Sequence, residues 1–151
     1  MQDFEDLYQD IVMDHNRSPR NHGSLKNFTS STDGYNPLCG DEVTVFVRID
    51  GDKVAEVSFV AEGCAISKSS ASMMTEGIKG KSVSEAVEIF EAFRSLLTQE
   101  TLDDQQIDML GDLEVLRGVS KYPARIKCAT LSWHTLRAAL EGNNKRSVST
   151  E

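Results

Sequence analysis

The chain has 151 residues, 39% hydrophobic and 26% charged, with a formal net charge of −8. That length predicts one domain able to bury a core unaided, and the acidity excludes a nucleic-acid partner, which demands a basic footprint. No apolar run approaches the roughly 18 residues of a membrane span, and the acidic start Met1-Gln2-Asp3-Phe4-Glu5-Asp6 is no secretion signal, so a cytoplasmic protein without a membrane partner is expected.

Phe4, Leu7, Tyr8, Ile11 and Val12 recur at helical spacing and predict a first helix over about residues 3–14. Residues 15–36 are rich in turn formers, with little to pack beyond Leu25, Phe28 and Tyr35. They predict an ordered but irregular loop in which His15 and His22 are solvent-exposed. Val43, Val45, Val47 and Ile49 then alternate with Thr44, Phe46 and Arg48, the pattern of a strand with one core face. Asp50-Gly51-Asp52-Lys53 is a hairpin turn, and Val54 to Ala61 return with Val57, Phe59 and Ala61 inward.

The hairpin has a chemical consequence. Its first strand begins at Asn36-Pro37-Leu38-Cys39-Gly40-Asp41 and its second ends at Gly63-Cys64. Antiparallel pairing about Asp50-Gly51 brings these ends side by side, so topology places Cys64 near Cys39. In an extended segment residues i and i+2 point the same way, so Cys39 and Asp41 can face one point. Ile66, Ser69, Ser70, Met73, Met74 and Gly77 share a helical face after Cys64, which puts that thiol at a helix N-terminus. Free N–H groups and the helix dipole there favour a charged sulfur.

Ser82-Val83-Ser84-Glu85 is a capping box for the next helix, whose stripe is Val83, Ala86, Val87, Phe90 and Leu97. Residues 98–120 carry Glu100, Asp103, Asp104, Asp108, Asp112 and Glu114, and predict a short helix and loops as an acidic, insertion-like surface segment. The last helix starts near Pro123 and buries Ile126, Ala129, Trp133, Leu136 and Leu140. Cys128 falls off that stripe near the helix start, where a partly exposed thiolate flanked by Arg125 and Lys127 would be stabilised. His134 is expected at the surface or the core edge, and the polar tail 141–151 is expected to fray, leaving a domain over 1–140.

Three cysteines far apart cannot make a complete disulfide framework and point to metal binding, catalysis or burial. With Asp41 they supply three thiolates and a carboxylate, a set that suits a four-coordinate zinc ion. The same thiolates also suit an iron–sulfur cluster or persulfide exchange, and the residues alone do not choose among these. Spacing also leaves the simpler reading standing: three unrelated buried thiols and a turn aspartate.

Four motifs in order carry a resemblance. Leu7-Tyr8-Gln9-Asp10-Ile11-Val12-Met13-Asp14-His15 with Ser18-Pro19-Arg20-Asn21, then Asn36 to Asp41, then Gly63-Cys64-Ala65-Ile66-Ser67, then Lys121 to Ala129 resemble the NifU-N/IscU iron–sulfur assembly family over most of residues 4–140. The acidic segment before the last helix resembles an insertion of the family's SufU branch. Lys127 also points there, standing where the scaffold branch usually has a histidine ligand, because an ammonium cannot coordinate a metal.

The resemblance implies an α+β fold, a small antiparallel sheet packed on helices. It implies Zn²⁺ held by Cys39, Asp41, Cys64 and Cys128, and a pyridoxal-phosphate cysteine desulfurase (SufS-like) as persulfide donor. The implied acceptor is Cys39, freed when a desulfurase side chain takes its place on zinc, with Arg125 assisting and downstream iron–sulfur assembly proteins receiving the sulfur. Two alternatives remain: a scaffold on which a transient [2Fe–2S] cluster is bound by Cys39, Cys64 and Cys128, and a structural zinc-binding adaptor.

Overall fold

Alternating valines build the centre of the molecule. In the computed structural model, which describes residues 4–142 and 147–149, strands β2 (Asp41–Asp50) and β3 (Lys53–Glu62) pair antiparallel. Val43, Val45, Val47, Val57 and Phe59 are buried on the inner face. Helices α2 (Ala65–Ile78) and α5 (Pro123–Leu140) pack on the sheet, and α3 (Val83–Leu97) packs on α5 through stacked aromatics. Helix α1 (Phe4–Arg17) lies on α2, and α4 (Asp104–Leu110) runs into a 3-10 helix (Gly111–Lys121) before α5. The expected α+β architecture, a small antiparallel sheet on helices, is what the chain adopts. Among the described residues no helix is long and apolar enough to cross a membrane.

The predicted Ser82–Glu85 capping box is present in both directions, and Pro123 occupies the first turn of α5. Trp133, fully buried, is flanked by Phe90 and Phe93 with ring centroids 5.8 and 5.2 Å away. Its Nε1 donates to Ser70 Oγ at 3.1 Å, and that hydroxyl donates to the Ala129 carbonyl at 2.6 Å. The buried polar edge of the indole is thereby satisfied.

Four expectations are corrected. Residues 15–36 are not all loop: β1 (Ser30–Asn36) pairs antiparallel with β2, and the sheet order is β3-β2-β1-β4. The inward residues of β1 are Ser30, Thr32, Gly34 and Asn36, so no apolar alternation betrays it. Gly34 is required because a Cβ there would collide with Thr135 of α5. Within the tail, Ser147–Ser149 forms β4, parallel to β1, where fraying is predicted; the neighbouring residues 143–146 and 150–151 lie outside the described ones. The acidic segment is not confined to the surface, since Leu110, Leu113, Val115, Leu116 and Val119 are buried in the core while its carboxylates face outward or to the rim.

His15, expected to be exposed, is buried. It lies in the last turn of α1, with Nδ1 2.7 Å from Ser72 Oγ and Nε2 3.6 Å from Glu76. Burial is the main cause that lowers its pKa, reinforced by the nearby Arg20 and opposed by Glu76. Half-buried His134, set edge-on to Phe90, is lowered for the same first reason. A depressed folded-state value means the fold favours the neutral ring. The resulting stability is complete above the ordinary histidine value and is lost as pH falls through the lowered one. Urea midpoints should therefore drop between about pH 7.5 and about pH 5, and His15→Gln should flatten that slope; an unchanged slope would contradict the assignment.

Candidate metal centre

The β1–β2 turn is closed by its own backbone. Gly40, at φ +74°, donates its N–H to the Asn36 carbonyl at 2.8 Å, and the Leu38 N–H reaches Asn36 Oδ1 at 3.3 Å. This turn holds Cys39 out in solvent and turns Asp41 inward, fully buried at the head of β2. At the other end of the hairpin, Asp41 Oδ1 accepts the Cys64 N–H at 2.9 Å. Cys64 is the N-cap of α2, its Sγ accepting the Ser67 N–H at 3.5 Å. Between them Gly63 lies at φ +152°, and a Cβ there would fall inside van der Waals contact with the Asp41 carboxylate. The absence of a side chain at residue 63 is what lets Asp41 sit against the β3–α2 turn.

Helix α5 supplies the third wall. Cys128 Sγ lies 3.4 Å from Cys39 Sγ, with Asn36 Nδ2 3.6 Å from it. The ligand atoms of Cys39, Asp41 and Cys128 all lie within 4.8 Å of one another. Cys64, half-buried, adjoins this group through its N–H bond to Asp41 but is not one of the three. The hairpin thus brings Cys64 to Asp41, and α5 brings Cys128 to both Asp41 and Cys39.

Cys128 is fully buried, not the partly exposed thiolate expected from the helical wheel. Burial is the main cause pushing its thiol well above the usual cysteine range, and hydrogen bonds with Asp41 and Cys39 add to it. The physical reason is position. Helix α5 is enclosed by β1, β2, α2, α3 and the 3-10 helix, so its buried residues run round most of its circumference and a single stripe does not describe it. Arg125, at the surface, is held above its ordinary value first by its hydrogen bond with Cys128 and then by the sulfurs of Cys64 and Cys128. Its charge therefore interacts with the sulfurs of the cluster.

The donor set fits a soft-to-borderline divalent cation. Asp41 is buried, with two N–H groups, from Cys64 and Asn36, and the Cys128 thiol as its hydrogen-bond partners. None of them is a cation. A buried carboxylate beside two thiols is an arrangement that a cation completes, because metal binding favours thiolates and offsets the cost of burying their charge. Sulfur and carboxylate donors together suit zinc. Asn36, which touches two of these donors, carries no functional weight in the sequence; its only signal is its place at the head of the Pro-Leu-Cys-Gly-Asp motif.

The profile of the NifU-like N terminal domain family matches residues 7–141. A zinc-dependent sulfurtransferase SufU from Bacillus subtilis (strain 168) is 46% identical over 144 residues, covering 93% of this chain and 96% of that protein. An iron–sulfur cluster assembly scaffold protein IscU from Streptococcus pyogenes serotype M1 is 38% identical over 135 residues, covering 89% of this chain and 83% of the relative. The crystal structure of an iron–sulfur cluster assembly scaffold protein for the SUF system from Fervidobacterium islandicum AW-1 superposes with a TM-score of 0.82 at 36% identity. It covers 89% of this chain and 96% of that one.

Proposed function

Because the chain belongs to the family of NifU-like N-terminal domains, we propose that it serves iron–sulfur cluster assembly as a zinc-dependent acceptor and carrier of persulfide sulfur. The observation that carries this reading is an exposed sulfur, Cys39, in contact with a buried set of metal donors. Asp41, Cys64 and Cys128 would hold Zn²⁺, with Cys39 as the displaceable fourth ligand; Cys64 Sγ would give up its weak bond to the Ser67 N–H to join them. Zinc supplies charge here, keeping its thiol ligands deprotonated without redox chemistry of its own.

The donor is a pyridoxal-phosphate cysteine desulfurase bearing a persulfide. The Cys39 thiolate attacks the outer sulfur of that persulfide, an S–S bond forms on Cys39, the donor's S–S bond breaks, and the donor cysteine leaves as a thiolate. Sulfur moves with no net oxidation. Arg125, beside the cluster, stabilises negative charge on the sulfurs, and exposure of Cys39 lets the donor reach it and downstream assembly proteins collect the cargo. A cytoplasmic setting, where thiols stay reduced, suits this chemistry.

The test is direct. Incubation with a cysteine desulfurase and cysteine, followed by trapping and peptide mass spectrometry, should find one added sulfur on Cys39; its consistent appearance on Cys64 or Cys128 instead would refute the acceptor assignment. The scaffold reading is favoured by the Streptococcus relative's name and by the convergence of sulfur donors. Against it, Lys127 offers no lone pair to a cluster iron when charged. Anaerobic reconstitution giving a visible absorption band and transfer to an apo-ferredoxin would favour the scaffold.

A further inference from the structure

Asn36 ends β1 and is fully buried. Its Nδ2 donates to Asp41 Oδ2 at 3.2 Å and faces Cys128 Sγ at 3.6 Å. Its Oδ1 accepts the Leu38 N–H at 3.3 Å, and its carbonyl accepts the Gly40 N–H at 2.8 Å. One residue therefore touches the carboxylate at the head of β2, the sulfur on α5, and both backbone groups that flank Cys39. The amide orientation is fixed by these partners, since a flip would aim its oxygen at the carboxylate and its NH₂ at an N–H.

A buried carboxamide is costly unless its hydrogen bonds are made. At a strand end the ordinary partners are backbone groups of the next turn, and the oxygen of Asn36 follows that pattern. Its nitrogen does not. That donor is directed at two of the three clustered ligand groups, which lie on separate elements and have no direct covalent reason to converge. We propose that Asn36 is a positioning residue of the metal centre: its carboxamide clamps Asp41 to Cys128 and fixes the turn that presents Cys39. The donors then stand ready before an ion arrives. The proposal rests on the zinc reading above only for the identity of that ion.

Groups that orient metal ligands typically cost about 10–100-fold in metal affinity when removed. The test compares wild type with Asn36→Ala and with Asn36→Leu, which fills nearly the same volume without hydrogen bonds. In metal-free protein, phenylarsine oxide bridges pairs of thiols that lie together, so its rate of closing on Cys39 and Cys128 reads their pre-arrangement with no metal and no activity involved. That rate should fall several-fold in both variants. Zn²⁺ affinity, by competition with a chromophoric chelator, should fall about 10–100-fold, and the sulfur-to-cobalt charge-transfer band of Co²⁺-loaded protein should weaken. Circular dichroism establishes which variants fold, and one folded variant suffices. A wild-type bridging rate in a folded variant overturns the proposal, whatever happens to affinity. Should wild type itself bind no zinc, the zinc reading fails, and the arsenical rates still decide the role of Asn36.

Discussion

Gly63→Ala is expected to empty the metal centre and to destabilise the whole domain. Residue 63 adopts φ +152°, which side-chain-bearing residues rarely enter. Forcing alanine into such a region costs on the order of 1–3 kcal/mol. The new methyl group would also occupy space now held by the Asp41 carboxylate, and overpacking of this kind adds about 1–3 kcal/mol. Relief by moving Asp41 breaks its bonds to the Cys64 N–H and to Asn36, so the strain cannot be released without dispersing the donors. Together these predict a loss of about 2–6 kcal/mol. Calorimetry should show a melting temperature lower by roughly 5–20 °C at this chain length. Metal content after purification should fall from near one equivalent toward none. A Gly63→Ala protein with wild-type melting temperature and metal content would mean that Asp41 does not need its present position.

The same glycine shows what sequence can and cannot express. Alternation from Val43 to Ile49, a turn at Asp50-Gly51 and a return to Ala61 suffice to bring Cys64 to the end of the hairpin where Cys39 and Asp41 lie, because the turn sets the antiparallel pairing. They do not show the register shift between Arg48 and Ile49, nor that Cys64 meets Asp41 and stays outside the group that Cys39 forms with Asp41 and Cys128. The capping box at Ser82 is legible for a similar reason: it is local chemistry. What stays hidden depends on neighbours. Strand β1 reads as loop since its inward positions face α5 at close range and are filled by Ser30, Thr32, Gly34 and Asn36. Cys128 reads as half-exposed since a helical wheel assumes one buried stripe, whereas α5 runs through the middle of the structure. The buried leucines of the acidic segment hide among carboxylates, and His15 hides in an apparent turn that the first helix in fact reaches.

Cys39→Ala is expected to abolish stimulation of the desulfurase while sparing the fold. Cys39 is exposed and sits in a turn whose closing bonds run through the Asn36 carbonyl and side chain, not through the thiol. Its removal leaves that turn intact, so the melting temperature should shift by no more than about 0.5 kcal/mol would produce at a surface site. On the proposed ligand set Asp41, Cys64 and Cys128 remain, and three protein ligands with an open fourth position are the usual complement of a zinc site that does chemistry. Metal content should therefore stay near one equivalent, with weaker affinity. Cysteine turnover by the partner, measured as alanine production, should fall to the rate of the desulfurase alone, because no other exposed sulfur stands at the mouth of the cluster to take the persulfide. Cys128→Ser gives the opposite split. It removes a fully buried sulfur of the proposed zinc set, so zinc should be lost along with stimulation. An adaptor with no sulfur chemistry predicts a different pair of results: Cys39→Ala would stimulate normally, and only loss of the metal would silence the partner. Stimulation retained by Cys39→Ala is thus the outcome that removes the carrier mechanism and leaves the adaptor.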